Sequence, residues 1–268
     1  MGLVEALLAL APLVIVPLGL RLHPTAAAWW PRAAVACALP ATVALALEQS
    51  LLAGMLAVPW LALVGWFAAL GAWRWLHDRS LLGVVDVAAL AYLTVGAGWL
   101  ALDRLGAQPV GVRPPFVLLT AVHFHYAGFV ATLLVALVLR RTMRAAPRTA
   151  VFMAAAVVVS PPIVAAGFTF AGPLQVVGAA VLTAGLWTMS WLTLRHVVGS
   201  MDQPATTLLT ISAVAVLFPM LLAVQWAIGW NYGTPALSIP AMAQTHGVVN
   251  ALGFALCGVV GWRRSGLD

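Results

Sequence analysis

The chain has 268 residues, of which 63% are hydrophobic and only 7% are charged, and its mean hydropathy is +1.04. So little polar surface excludes a soluble domain of this size and indicates a protein that crosses a membrane several times. The formal net charge of +6 comes from thirteen arginines, placed singly or in small groups, against seven acidic residues. The chain lacks the aromatic-rich basic surface that nucleic-acid binding needs. We therefore expect the lipid bilayer, and no nucleic acid, as a partner.

Nine apolar segments are long enough to cross a bilayer as helices, since a span needs about 20 mostly apolar residues. They cover roughly residues 3–20, 27–47, 50–72, 83–103, 115–139, 149–170, 173–194, 206–229 and 240–262. The first is expected to be a retained helix, because no basic residues precede it and no convincing cleavage site follows it. The pattern predicts an all-α, polytopic membrane protein with one transmembrane domain over residues 1–268.

The arginines predict the orientation of the spans, because cytoplasmic loops are enriched in basic residues. With nine spans, eleven arginines fall on one side of the membrane and only Arg104 and Arg113 on the other. This asymmetry places the amino terminus outside and the carboxyl terminus in the cytoplasm. We expect a multi-pass protein of the cell membrane, and the sequence leaves its oligomeric state open.

Prolines inside the predicted spans are expected to kink or break those helices, because proline removes a backbone hydrogen bond. They are Pro40, Pro59, Pro161, Pro162 and Pro219, and the Pro161-Pro162 pair is expected to be the most disruptive. Each proline leaves the carbonyl four residues before it without a hydrogen-bond donor. These carbonyls could line a cavity, or the prolines could only kink helices that pack against their neighbours.

Two segments carry strongly polar side chains at membrane depth. The fifth contains the run His123-Phe124-His125-Tyr126, and the ninth contains His246 and Asn250. At 1.5 Å per residue, the three histidines lie about 3 to 7 Å to the outer side of the middle of their segments, so we expect one polar layer. Such groups must find partners inside the protein, which makes the layer a functional-site hypothesis.

Helical spacing predicts which of these side chains can meet. Residues two apart point about 200° apart, so His123 and His125 serve different faces, whereas His123 and Tyr126 are near neighbours. His246 and Asn250 share a face, and we predict that this face meets one face of the fifth helix. The alternative is a set of interhelical hydrogen bonds that only hold the helices together.

The candidate site includes further residues near the predicted outer surface and inside the spans. Glu48 is the most plausible acidic partner of the histidines, and with His123, His125, Tyr126, His246 and Asn250 it completes the candidate catalytic set. The candidate substrate-binding residues are Trp60, Trp187, Gln225, Asn231, Tyr232 and Gln244.

The residues around both polar motifs resemble those of a known family. The run from His123 to Phe129, His-Phe-His-Tyr-Ala-Gly-Phe, and the run from Thr245 to Phe254, Thr-His-Gly-Val-Val-Asn-Ala-Leu-Gly-Phe, are similar to the YndJ-like bacterial membrane proteins. The likeness covers about the second half of the chain. It implies the same polytopic fold and points to the same polar residues, but it implies no particular reaction.

A shorter likeness is to subunit I of heme–copper oxidases, in which a His-Phe-His-Tyr run and a separate His-Gly helix supply heme ligands. This likeness implies that His125 and His246 are the axial pair of one heme. The chain contains no His-Pro-Glu segment and no adjacent His-His pair, so the copper centre of that family is not expected.

Three functions fit these residues. The first is a membrane-embedded enzyme, without a cofactor, that isomerises or cyclises a lipophilic substrate. In this hypothesis His123 or His246 delivers a proton, with Glu48 keeping the imidazole charged, and His125 or Tyr126 orients the acid or removes the final proton. An analogy with bacterial membrane cyclases of similar size suggests an isoprenoid or epoxidised isoprenoid substrate.

The other two functions remain open alternatives. One is a heme- or metal-binding redox protein that uses His125 and His246, because neutral imidazoles are good ligands for iron, copper and zinc. The other is a small-solute transporter with its site at the broken helices.

Overall fold

The computed structural model describes residues 2–266, and within that range it contains nine long helical segments and no β-strand. The segments are α1 (Leu3–Leu20), α2 (Trp30–Leu45), α3 (Leu51–Asp78), α4 (Leu81–Arg104), α5 (Phe116–Thr142), α6 (Pro147–Thr169), α7 (Gly172–Ser200), α8 (Gln203–Tyr232) and α9 (Ile239–Arg264). A 3₁₀ turn, Pro109–Gly111, lies between α4 and α5. The predicted all-α, polytopic fold class is confirmed.

Eight of these helices are long and apolar enough to cross a membrane, whereas α2 has only 16 residues. At 1.5 Å per residue α2 is about 24 Å long, less than the hydrocarbon core of about 30 Å. The second predicted segment, 27–47, was therefore too long at both ends. Residues 21–29 form turns, and Pro31 stands in the first turn of α2, where its fixed φ and missing N–H favour a helix start.

The loop before α2 is tied to one end of the α3–α4 hairpin. The Nε2–H of His23 donates to the carbonyl of Asp86, near the start of α4, at 3.1 Å. Nη1 of Arg74, near the end of α3, donates to the carbonyl of Thr25 at 2.7 Å. The amino-terminal end of α2 therefore lies at the level where α3 ends and α4 begins.

The other end of α2 is tied to the opposite end of that hairpin. The guanidinium of Arg104, the last residue of α4, pairs with Asp103 and also donates to the carbonyls of Ala44 and Leu47 at 3.4 and 3.3 Å. The Ser50 amide, just before α3, donates to the Arg104 carbonyl at 2.9 Å. Because the segment that contains α2 is tied to both ends of the hairpin, we expect α2 to cross wherever the hairpin crosses, although it has only 16 residues.

The helices group into two compact units, and each is described by itself. The first comprises residues 1–133, with α1 to α4 and most of α5, and the second comprises residues 134–268, with the end of α5 and α6 to α9. The predicted single domain over the whole chain stays a prediction, as does the orientation of the termini.

π-Helical turns interrupt several of the spans. They are Ala11–Ile15 in α1, Phe124–Val130 in α5, Thr193–Val197 in α7, and Ala243–Gly247 and Val249–Leu256 in α9. Such turns are rare and occur frequently at functional sites. Both polar motifs lie in or beside them, which the hydropathy pattern did not indicate.

Among the prolines named above, Pro219 is the one that lies beside an interruption of the helical conformation. α8 is interrupted by a turn at Val216, three residues before Pro219, whose missing N–H leaves the Ala215 carbonyl without its helical donor. The helical conformation continues through Pro40, Pro59 and the Pro161-Pro162 pair.

The expectation that Pro161-Pro162 is the most disruptive site was wrong. The hydroxyl of the buried Ser160 lies 3.4 Å from the Val157 carbonyl, to which it donates. Val157 is four residues before Pro161, so the serine replaces the donor that this proline lacks.

Candidate functional site

His125 is fully buried in the first unit, and both of its ring nitrogens have partners. Its Nδ1–H donates to the Ala121 carbonyl at 2.7 Å, and its Nε2 accepts from the indole N–H of Trp60 at 3.1 Å. The imidazole and indole planes lie within 13° of each other, with centroids 6.1 Å apart. This arrangement holds a neutral imidazole in a single tautomer.

Two glycines allow α4 and α5 to approach closely around His125. A Cβ added to Gly96 would lie 2.8 Å from Nδ1 of His125, and a Cβ on Gly128 would lie 2.8 Å from the Cβ of Tyr92. Both distances are too short for real carbon contacts, so only glycine fits at these two places. Because neither glycine carries a side chain, the α5 backbone can lie close to α4, and this places the imidazole of His125 between the two helices.

The other polar groups of the His-Phe-His-Tyr run point elsewhere. His123 is exposed, and its Nδ1–H donates to the Leu119 carbonyl at 2.7 Å. The buried Tyr126 reaches α1, where its hydroxyl donates to the Leu7 carbonyl at 2.8 Å. His123 and His125 therefore serve different faces, as their spacing predicts, and Tyr126 connects two helices rather than joining His123.

The second cluster lies in the second unit, around the half-buried His246. Its Nδ1–H donates to the Pro219 carbonyl at 2.8 Å, beyond the break in α8. Nδ2 of Asn250 lies 3.3 Å from Nε2 and 3.4 Å from Nδ1 of His246. Because Nδ1–H already donates to the Pro219 carbonyl, we assign Nε2 as the acceptor of the Asn250 amide. The predicted shared face of these two residues is therefore present, and it lies against α8.

Asn250 has one unused polar atom. Its Oδ1 is buried and has no hydrogen-bond partner among residues 2–266. Rotation of the carboxamide by 180° exchanges its oxygen and nitrogen, so Asn250 can present either an acceptor or a donor to His246.

Side chains of α7 and α9 donate hydrogen bonds to carbonyls on both sides of the break in α8. Four carbonyls before and after the break accept from side chains of α7 and α9. The pairs are Ser190 with Ala213 at 2.5 Å, Trp187 with Leu217 at 3.1 Å, His246 with Pro219 at 2.8 Å and Thr183 with Met220 at 3.4 Å. The three donors of α7 lie four and three residues apart, so they form one face of that helix.

α9 packs tightly against the half of α8 before the break. The Ser212 hydroxyl donates to the Phe254 carbonyl at 2.7 Å, within a π-helical turn of α9. A Cβ on Gly253 would lie 2.7 Å from the Cβ of Ala215, so α8 and α9 approach closely at this glycine. These contacts hold α9 against α8 two helical turns beyond His246.

The remaining predicted residues lie near helix ends or in turns. Glu48 is exposed in the turn between α2 and α3, and its carbonyl accepts from the Ser50 hydroxyl at 3.2 Å. Asn231 donates to Oε1 of Gln175 at 2.8 Å, and Gln225 donates to the Pro235 carbonyl at 2.8 Å. Tyr232 and Gln244 are exposed.

The two clusters belong to different compact units, so the predicted meeting of α5 with α9 stays a prediction. The proposed pairing of Glu48 with a histidine also stays a prediction. In residues 2–266, no three His, Cys, Asp or Glu side chains are grouped to hold a metal ion.

Several buried polar residues were missed by the sequence analysis. Asp103 and Arg104 are 3% and 8% exposed, and His23 is 3% exposed. For Asp103 and Arg104 the sequence did offer a signal, because two adjacent residues of opposite charge at the end of an apolar segment can form a buried ion pair. The hydroxyl donors of α7 gave no such signal, because serine and threonine are common in membrane helices.

Comparison with known proteins identifies the family. The family model of the YndJ-like protein matches residues 6–254. The chain belongs to the YndJ-like family. The match covers both polar motifs and most of the first unit, so the resemblance extends well beyond the second half of the chain.

A curated YndJ relative is the uncharacterized membrane protein YndJ of Bacillus subtilis (strain 168), which is 28% identical over 174 residues. The aligned region covers 65% of this chain and 31% of the relative, so this chain spans about a third of that YndJ protein. No solved structure matches. Together with the eight long apolar helices, these similarities identify a multi-pass membrane protein.

Proposed function

We propose that this YndJ-like protein is a membrane-embedded enzyme that isomerises or cyclises a lipophilic substrate of the isoprenoid class. The observation that carries the proposal is the hydrogen bonding of His246. Its Nδ1–H is fixed on the Pro219 carbonyl, and its Nε2 faces the carboxamide of Asn250. A histidine held in this way can exchange a proton at Nε2 without losing its position.

Asn250 gives both protonation states of His246 a partner. With a neutral ring, the carboxamide N–H donates to Nε2, and with a protonated ring, the turned carboxamide accepts the new N–H through Oδ1. His125 has no such freedom, because the indole N–H of Trp60 can only donate. His246 is therefore the proposed proton donor and acceptor, and His125 is a structural residue.

The proposed reaction uses one proton and returns it. Nε2–H of His246 protonates the oxygen of an epoxide or carbonyl, the carbon–oxygen bond weakens, and an alkene of the same molecule attacks the electron-poor carbon. The resulting cation then loses a proton from carbon to Nε2. The product is an isomer of the substrate, so no oxidant or reductant is needed. The apolar helices around the site support a lipophilic substrate.

The test is conversion of epoxyfarnesol and of extracted bacterial isoprenoids by membranes that contain the protein, followed by mass spectrometry and chromatography. We expect isomers of unchanged mass from the wild type, and a loss of about 10²- to 10⁴-fold in His246→Gln, the usual contribution of a general acid–base. His77→Gln is the control, because His77 is exposed at the end of α3. Equal product formation by wild type and His246→Gln would contradict the proposal.

The two alternatives find less support. Trp60 occupies the Nε2 lone pair of His125 that heme iron would take, so this residue does not fit as an axial ligand. At the α8 break, the carbonyls of Ala213, Leu217, Pro219 and Met220 already accept side-chain hydrogen bonds, which leaves them little capacity to coordinate a transported ion. A Soret band in the purified protein, or solute counterflow in proteoliposomes, would revive one of them.

A further inference from the structure

A groove of about 280 Å³ lies between α1 and α2 in the first unit. Its walls include four apolar side chains and two arginines. They are Leu13, Val14 and Leu18 of α1, Val35 of α2, Arg21 just after α1 and Arg32 in the first turn of α2. The groove is open at its side, since Val14 and Val35 are 39% and 36% exposed.

The two arginines lie at the same end of the groove. Arg21 follows the last residue of α1, and Arg32 stands near the first residue of α2, so both are at the connection between these helices. The apolar residues of α1 continue from Arg21 toward the middle of the span, on one face of the helix. The groove therefore has a charged end at the membrane boundary and an apolar length within the bilayer.

Within residues 2–266, no acidic side chain neutralises the two arginines at this end of the groove. No carboxylate lines the groove, and neither Arg21 nor Arg32 pairs with an acid in the part of the chain that the structure describes. Both side chains are exposed. Two positive charges beside an open apolar groove match a molecule with a negative head and an apolar tail.

We propose that this groove binds one anionic phospholipid, with its phosphate between Arg21 and Arg32 and an acyl chain along Leu13, Leu18 and Val35. Guanidinium groups recognise phosphate oxygens through paired hydrogen bonds, and basic pockets between membrane helices attract anionic head groups. The volume is slightly below the usual 300–1,000 Å³ of small-molecule sites, so the groove holds one end of a lipid and not a whole molecule.

The test is native mass spectrometry of the full chain in detergent, titrated with phosphatidylglycerol or phosphatidylcholine of identical acyl chains. We expect the wild type to keep phosphatidylglycerol preferentially, and the double variant Arg21→Gln/Arg32→Gln to lose the preference, by about fivefold for each arginine. Leu18→Trp, which fills the apolar part, is expected to weaken the binding of both lipids.

The matched control is Arg144→Gln/Arg148→Gln, which removes the same charge elsewhere. Arg148 follows a proline in the first turn of α6, as Arg32 follows Pro31 in α2. The inference is overturned if the wild type binds both lipids equally, if the groove double variant keeps its preference, or if the control loses it to the same degree. Displacement of the lipid by millimolar inorganic phosphate would also overturn it. Free phosphate competes only for the two arginines, whereas the acyl chain keeps the lipid bound in the apolar part of the groove. Thermal unfolding of each variant checks that it is folded.

Discussion

At the scale of single residues, the histidines of this protein differ in what their partners permit. His125 has one nitrogen donating to a carbonyl and the other accepting from Trp60, so the protein fixes its ring in one neutral form. His246 has the same fixed Nδ1–H, but its second nitrogen faces a group that can reverse. The hydrogen-bond partner, and not burial alone, therefore distinguishes a histidine whose ring is fixed in one form from one whose partner can reverse.

The ring tautomers provide a first prediction. His125 is expected to carry its proton on Nδ1, whereas His23 is expected to carry it on Nε2, because its Nε2 donates to the Asp86 carbonyl and its Nδ1 accepts from the Thr25 hydroxyl. Nitrogen-15 NMR of histidine-labelled protein distinguishes the two forms. Single substitutions of each histidine assign the signals, and the same tautomer at both positions would refute the described geometry.

Trp60→Phe provides a second prediction. Phenylalanine keeps an aromatic ring but removes the N–H, which leaves Nε2 of the buried His125 without its donor. We expect the free energy of unfolding to fall by about 1 to 3 kcal/mol, the usual cost of an unsatisfied buried polar group. Reversible unfolding in mixed micelles measures it. Trp73→Phe, at an exposed tryptophan of the same helix, is expected to change it by less than about 0.5 kcal/mol.

At the scale of helices, close packing depends on small residues at defined places. α4 approaches α5 where Gly96 faces His125, and α9 approaches α8 where Gly253 faces Ala215. In lipid, helices associate through such close contacts and through interhelical hydrogen bonds, since apolar surface is equally well solvated by the bilayer.

A pair of glycines two residues apart in α4 tests this packing. In Gly96→Ala, the new methyl group would lie 2.8 Å from Nδ1 of His125, and we expect a loss of about 1 to 3 kcal/mol in stability from overpacking. In Gly98→Ala, the nearest atom is 4.0 Å away, on Leu61, so we expect no loss and a slight gain in helix stability. Equal effects of the two substitutions would show that the contact at Gly96 is unimportant.

The sequence predicts the helices far better than their internal geometry. A span must be a long apolar run, so hydropathy locates α1 to α9 within several residues. The prolines do not show where a helix breaks, because the helical conformation continues through Pro40, Pro59 and the Pro161-Pro162 pair but is interrupted near Pro219. The π-helical turns have no comparable local signal. The partners of the polar groups are equally hidden, since Trp60 is 65 residues from His125 and Pro219 is 27 residues from His246.

At the scale of the whole molecule, the short helix α2 decides the topology. If α2 crosses, eleven arginines lie on one side and two on the other, whereas omission of this crossing changes the division to nine and four. The hydrogen bonds at both ends of α2 and the arginine distribution therefore favour the same answer, an odd number of crossings.

Accessibility of introduced cysteines tests this topology. In a background with Cys37 and Cys257 replaced by serine, Gln49→Cys is expected to react with a membrane-impermeant thiol reagent in intact cells, because residue 49 is exposed in the turn after α2. Ala27→Cys, in the exposed turn before α2, is expected to react only after the membrane is opened. Labelling of both positions from the same side would mean that α2 does not cross.

The length of α2 also has a consequence for the surrounding membrane. A helix of 16 residues is about 6 Å shorter than the hydrocarbon core, so hydrophobic mismatch is expected where α2 meets lipid. The bilayer adapts by thinning beside a short helix, and the phosphate layer then moves inward toward Arg32 at its end. The protein would thus shape a local depression in the leaflet, and we expect it to concentrate in the thinner regions of a membrane.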